Sequence, residues 1–183
     1  MKKFLIALLL IFPITAFAQL KLQVGGFVFE DTNEPYKVYQ FDGVSASELF
    51  DRCKNTLLGM TANLDNISSE NDSQMIVVTF YSNNDMYYKY MGQTVWTEAK
   101  YTIRLRFKNG RTRIDAPTFQ KITSGAVPLS FDAGGRMKNG QGLMFKKDGE
   151  PRLEKLKESM ENYFNDVYTI IINGIAGKVD NDW

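Results

Sequence analysis

From residue 74 to residue 122 the sequence has a period of two, with apolar and polar side chains at alternate positions. This alternation is typical of strands that bury one face of a sheet. It predicts four successive strands, with Asn83-Asn84-Asp85 as the turn between the first two. The predicted strands are 74–82, 86–93, 96–108 and 111–122. A chain with this pattern is expected to form an antiparallel sheet with one covered face.

Asn109-Gly110 lies between two of these strands and predicts a two-residue hairpin with a type I′ turn. Such a turn sets the register, and the register decides which side chains share a face. One face is then apolar, with the pairs Phe107/Thr112, Leu105/Ile114 and Ile103/Ala116. The opposite face has the pairs Lys108/Arg111, Arg106/Arg113 and Arg104/Asp115.

Two amphipathic helices are predicted to cover the apolar face. The first begins at Ser45, whose N-cap role is supported by Glu48 three residues later, and Gly59 is placed to end it. The second has Pro151 in its first turn and ends near Gly174. A strand at 36–41 precedes the first helix, so the element order is strand, helix, four strands, helix. This order predicts one α+β domain with both helices on one face of a curved antiparallel sheet.

The first eighteen residues have the pattern of a signal peptide: two lysines, an apolar run at 4–12 and small residues at 16–18. The apolar run is too short to span a membrane. Gln19 follows the expected cut after Ala18, where a lipoprotein would have cysteine. We therefore expect a periplasmic or secreted protein that is not a lipoprotein and has no membrane span. We assign 19–35 as an extended lead-in containing at most an edge strand, 36–176 as the domain, 61–73 as a polar loop and 177–183 as a polar tail.

The capped helix at 43–57 and the basic alternating hairpin at 100–119 resemble an exported domain-of-unknown-function family from Bacteroidetes-type bacteria. The element order is also similar to one half-repeat of the TATA-binding protein (TBP). The resemblance covers roughly residues 36–122. It implies a TBP-like fold and an exported domain, and it brings no catalytic residues with it.

Composition and spacing exclude several kinds of site. The chain has no histidine and a single cysteine, so Ser-His and Cys-His catalytic arrangements and an intrachain disulfide are impossible. The glycine-rich segment 131–145 resembles a phosphate-binding loop, but Gln141 and Gly142 stand where such a loop needs lysine and a hydroxyl. We expect neither a nucleotide nor another cofactor, and no metal. Segment 131–145 is interpreted as a flexible connection in which 143–145 is a short strand.

The basic face of the hairpin is the main candidate for function. With 22 basic and 21 acidic residues the chain is nearly neutral overall, yet it concentrates cations here. Like-charge pairs across strands cost stability. The face could bind an anionic glycan or an acidic protein, or acids from a neighbouring strand or from 30–34 could neutralise it. The candidate binding residues are Arg104, Arg106, Lys108, Arg111 and Arg113.

Tyr88 and Tyr90 share one face of their strand and could add an aromatic platform for a sugar or peptide. We expect no nucleic-acid partner. The favoured function is therefore a non-enzymatic binding or assembly domain with a basic and aromatic sheet face. Two alternatives stay open: an enzyme acting on cell-envelope polymers, which a buried carboxylate pair in a cleft would favour, and a structural protein that self-associates through its sheet.

Overall fold

The computed structural model describes residues 19–60, 64–70 and 74–178, with side chains described outside 61–73. The predicted signal peptide 1–18 and the tail beyond residue 178 lie outside the described residues. Two helices and eleven strands are seen in the described part, which confirms the α+β class. The elements are β1 (Leu20–Gln23), β2 (Gly26–Phe29), β3 (Tyr36–Gln40), α1 (Ala46–Gly59), β4 (Leu64–Glu70), β5 (Met75–Tyr90), β6 (Gln93–Lys108), β7 (Arg111–Asp115), β8 (Thr118–Ser124), β9 (Val127–Gly134), β10 (Met137–Lys138), β11 (Gln141–Lys146) and α2 (Glu154–Ile175).

The main sheet is centred on β5 and β6, which pair over most of their length. Its strand order is β10-β11-β9-β8-β6-β5-β4, and β7 and β3 continue the sheet beside the end of β6. Most pairs are antiparallel as expected, but β9 and β11 are parallel, so the sheet is mixed. Both helices pack on one face, where they bury a single hydrophobic core. The predicted placement of the helices is therefore confirmed.

The predicted turn at 83–85 is wrong, because β5 continues through these residues. They form a bulge that shifts the register between Ser82 and Met86, and Asn84 has a φ of 66°. The chain reverses instead at Met91-Gly92, where φ values of 48° and 79° fit a type I′ turn. Methionine is unusual at a positive φ, so the residue types at 91–92 give a weaker turn signal than the Asn-Asn-Asp sequence.

The predicted register of the second hairpin is confirmed for Leu105/Ile114, Arg106/Arg113, Phe107/Thr112 and Lys108/Arg111. The ladder ends there, since Ala116 donates its amide to the Pro35 carbonyl and Pro117 has no N–H. The pairs Ile103/Ala116 and Arg104/Asp115 are therefore absent from the ladder, and 111–122 is two strands, β7 and β8.

The turn itself is not type I′. Gly110 has a φ of 74°, whereas Asn109 stays out of the left-handed region. Asn109 instead uses its side-chain oxygen to accept a hydrogen bond of 2.9 Å from the amide of Ala46 at the start of α1. A long-range contact thus replaces the conformation that the local sequence favours.

Three segments that we expected to be loops or lead-ins contain strands. Residues 64–70 form β4, which pairs with β5, so the prediction of a loop is wrong there; 61–63 and 71–73 lie outside the described residues. Residues 19–35 contain the hairpin β1–β2 rather than at most one edge strand, and its apolar side chains enter the core. The glycine-rich segment 131–145 contains the end of β9, all of β10 and most of β11, and β11 includes the predicted short strand at 143–145.

The helices differ from prediction mainly at their ends. Ser45 caps α1 as predicted, but the Glu48 carboxylate pairs with Arg52 at 2.6 Å and so does not complete a capping box. Helix α2 begins three residues after Pro151. Pro151 lies outside the helix and forms an isolated antiparallel β-bridge with Phe145. Helix α2 ends at Ile175, one residue past Gly174, which agrees with the predicted end near Gly174. Cys53 is buried in α1, and burial raises the pKa of its thiol.

The N-cap of α1 can be tested by replacing Ser45. Its hydroxyl accepts a hydrogen bond of 3.2 Å from the Glu48 amide, and Ala cannot replace that acceptor. We expect Ser45→Ala to lower the free energy of unfolding by about 1 kcal/mol and Ser45→Gly by only a few tenths, because glycine is tolerated at N-caps. Urea unfolding of the two variants checks this, and equal losses would contradict the capping role.

Candidate functional site

The face of the sheet away from α1 and α2, here called the outer face, gathers the predicted basic residues. On β6 it carries every second side chain from Trp96 to Lys108, while the residues between them are buried. Arg111 and Arg113 of β7 join this face through their pairing with Lys108 and Arg106. The outer face therefore holds all five predicted cations, Arg104, Arg106, Lys108, Arg111 and Arg113.

Three of these arginines share one carboxylate. Asp115 receives Arg113 Nε at 2.7 Å, Arg106 Nη1 at 3.4 Å and Arg104 Nη1 at 3.8 Å. The Asp115 side chain is 16% exposed, whereas the three guanidinium side chains are 38% to 47% exposed. One negative charge thus faces three positive charges that still contact solvent.

The remaining acids that we considered do not neutralise this cluster. In the N-terminal segment, Asp31 pairs with Lys37 at 2.6 Å. Where side chains are described, Lys108 and Arg111 have no ion pair, and the three arginines pair only with Asp115. Arg113 also stacks over the ring of Tyr36 at 3.8 Å, which orients its guanidinium. The described outer face is therefore positively charged.

Helix α2 holds the central carboxylate in place from the other side of the sheet. The hydroxyl of buried Tyr168 donates a hydrogen bond of 2.6 Å to the backbone carbonyl of Asp115. Burial raises the pKa of Tyr168 well above its ordinary value, so this hydroxyl remains a donor at neutral pH. The end of β7, and with it Asp115, is anchored to the core.

The aromatic side chains of the outer face are not those that we predicted. Tyr87 and Trp96 are cross-strand partners with ring centroids 5.0 Å apart, and both are exposed. Tyr88 and Tyr90 point to the opposite face, where the Tyr88 hydroxyl accepts a hydrogen bond of 3.2 Å from Ser124. The alternation at 86–91 identified the two sets, but it did not tell which set packs toward the helices.

The outer face is long and includes a small cavity. Trp96 and Arg104 are eight residues apart on one strand, which corresponds to about 26 Å. A cavity of about 300 Å³, lined mainly by polar residues, lies beside Arg104 at the junction between β7 and β8. Its lining residues are Thr102, Arg104, Asp115, Ala116, Thr118 and Gln120. The face thus combines an aromatic end, a cationic end and hydrogen-bonding groups.

A larger cleft of about 650 Å³ lies between the second half of β5 and α2. Sequence reasoning did not find it, because its two walls are about 70 residues apart in the chain. Its carboxylates, from Asp85, Glu158 and Asp166, are exposed rather than buried. Its lining residues are Asp85, Tyr87, Tyr88, Lys89, Lys155, Glu158, Ser159, Asn162, Tyr163 and Asp166.

The described residues, 19–60, 64–70 and 74–178, contain no group of three or more Cys, Asp or Glu residues arranged to hold a metal ion. Neither helix within them has the length and apolar character needed to cross a membrane.

No protein-family model and none of the curated proteins matches the chain. Two crystal structures are similar to it, each with a TM-score of 0.51 and covering 76% of this chain. One is a DUF4468 family protein from Bacteroides ovatus ATCC 8483, which is 11% identical in sequence and of which 84% is covered by the match. The other is a TBP-like protein from Parabacteroides distasonis ATCC 8503, which is 14% identical in sequence and of which 90% is covered by the match. They confirm the TBP-like fold and the resemblance to a Bacteroidetes domain of unknown function. Identities this low establish the fold alone.

Proposed function

We propose that the chain is an exported binding domain whose outer face holds an anionic glycan. The observation that carries this proposal is the cluster of three solvent-exposed arginines around the single carboxylate of Asp115. Guanidinium groups form strong paired hydrogen bonds with carboxylate and sulfate-like oxygens. A cluster with one internal counter-charge keeps its arginines oriented and retains a positive charge for a ligand.

The shape of the outer face supports an extended polymer. Cations occupy one end, and the exposed pair of Tyr87 and Trp96 lies about 26 Å away along the sheet. Aromatic rings offer an apolar surface to the C–H faces of sugar rings, while the cations take charged substituents. An acidic protein segment would use the cationic end but would have less need for the aromatic end. We therefore favour the glycan and treat an acidic protein as a distinct outcome of the test.

The double variant Arg106→Glu/Arg113→Glu is expected to weaken binding to a sulfated or carboxylated oligosaccharide by about tenfold or more. Each substitution replaces an attractive charge by a repulsive one, and a tenfold loss corresponds to about 1.4 kcal/mol. Binding of the wild type should also fall steeply between about 0.05 and 0.5 M NaCl, because salt screens exposed charges. Isothermal titration calorimetry at both salt concentrations measures these effects.

The matched control is Lys54→Glu/Lys147→Glu, which changes the net charge equally at exposed positions away from the outer face. It should retain near wild-type affinity. Equal loss in both variants would show that net charge, rather than the arginine cluster, governs binding. Binding of polyglutamate in preference to the oligosaccharides would identify an acidic protein as the partner class.

A further inference from the structure

The cleft between β5 and α2 shares only Tyr87 with the outer face, and several of its lining side chains have defined partners. It lies on the side of the sheet that α2 covers, and α2 forms one wall with residues from Lys155 to Asp166. The other wall is the part of β5 that follows the bulge at 83–85. Its volume of about 650 Å³ is within the range of small-molecule sites, about 300 to 1,000 Å³.

The bulge directs a carboxylate to the cleft. Asn84 has a positive φ of 66°, which is uncommon for a residue other than glycine. The buried Ser82 hydroxyl donates a hydrogen bond of 2.9 Å to Asp85 Oδ2, which orients this carboxylate. Bulges of this kind are frequent beside functional sites because they re-aim a side chain out of the regular ladder.

Two tyrosines of the lining, Tyr88 and Tyr163, have hydroxyl groups that hydrogen-bond to buried residues behind the cleft. The Tyr163 hydroxyl is 2.9 Å from the hydroxyl of fully buried Tyr101, and Tyr88 accepts a hydrogen bond from buried Ser124. The backbone amide of Tyr87 donates to Ser159 of α2 at 3.0 Å, so the two walls are joined directly. Side chains that are fixed in this way lose little entropy when a ligand binds.

The charges of the cleft select the chemistry of its ligand. Glu158 is paired with Lys155 at 2.8 Å, which leaves Asp85 and Asp166 as carboxylate acceptors and Lys89 as a cation. The two carboxylates disfavour an anion, and the single ammonium group of Lys89 offsets one of them, so only one negative charge remains to attract a cation. The acceptors, together with Asn162 and Ser159, are suited to a neutral ligand with many hydroxyl groups, and the tyrosine rings are suited to its apolar faces.

We propose that the cleft binds an uncharged saccharide. The carboxylates of Asp85 and Asp166 accept hydrogen bonds from its hydroxyls, and the amide of Asn162 both accepts and donates them. Tyr88 and Tyr163 supply the apolar contact. This site is separate from the cationic end of the outer face and does not depend on the function proposed for it.

The test is a screen of neutral oligosaccharides against the purified protein at about 0.5 M NaCl, where binding to exposed cations is screened. For a saccharide that binds, Asn162→Ala/Asp166→Ala should lower the affinity by about tenfold or more, or about 1.4 kcal/mol. Both residues are exposed and one helical turn apart on α2, so the variant should fold. The matched control is Asp51→Ala/Asn55→Ala, the same pair of residue types with the same spacing on exposed positions of α1.

The outcomes separate the two proposals. Neutral saccharide binding that the Asn162/Asp166 variant loses, and that Arg106→Glu/Arg113→Glu and the α1 control retain, supports the cleft as the site. Absence of binding across the screen, equal affinity of the cleft variant and the wild type, or selective binding of amines instead would each overturn the proposal. None of these results bears on the salt-sensitive binding of anionic oligosaccharides at low salt.

Discussion

Phe164→Ala is expected to lower the free energy of unfolding by about 3–5 kcal/mol, the range for removing a large aromatic side chain from a core. Phe164 is fully buried, and its ring centroid lies 4.8 Å from that of Tyr101, 4.9 Å from that of Phe27 and 5.5 Å from that of Phe119. Alanine would leave a cavity and remove these ring contacts together. For a chain of this length the melting temperature should fall by roughly 10 °C.

The loss should exceed that of an ordinary core residue because Phe164 connects distant parts of the chain. Its neighbours come from β2, β6 and β8, so one ring on α2 links the N-terminal hairpin to the main sheet. Ile170→Ala is the control, since Ile170 lies on the same helix but is 47% exposed. Thermal unfolding of both variants is the measurement. Similar losses would mean that this aromatic cluster does not organise the core.

Gly174→Ala is expected to destabilise the protein by about 1–3 kcal/mol, the usual cost of overpacking. In most helix positions this substitution would stabilise by about 0.5–1 kcal/mol. Here an added Cβ would clash with Thr56 Oγ1 and lie 2.7 Å from Thr56 Cβ, so α1 and α2 would have to separate. Thr56 is not free to rotate away, because its hydroxyl bonds the Arg52 carbonyl at 2.8 Å.

Gly59→Ala provides the matched control. Gly59 is the last residue of α1, and a Cβ added there would meet no atom within 4 Å. This substitution should be neutral or slightly stabilising, so only Gly174→Ala should lower the urea midpoint. A stabilised Gly174→Ala variant would contradict the close approach of the two helices.

The features that sequence analysis predicted correctly have local causes. Ser45 caps α1 through an amide three residues away, and a two-residue turn at Asn109-Gly110 sets the register of the hairpin. The features it missed depend on distant partners. Residues 64–70 are polar, yet they form β4 because the edge of β5 offers backbone hydrogen-bonding groups. Gly174 lies at the end of α2 as predicted, but the sequence did not show that its lack of a side chain makes room for Thr56 of α1.

The same division applies to the candidate sites. Alternation along β6 and the turn after it determined that five cations share one face, because period and register are properties of neighbouring residues. Only the tertiary structure decided that three of them share the carboxylate of Asp115 and that Asp31 pairs with Lys37 instead. It also decided that a bulge and a distant helix enclose a cleft. The charge balance of a surface and the presence of a cleft depend on which segments of the chain contact each other. A single sequence reveals such contacts only for segments that a short turn connects.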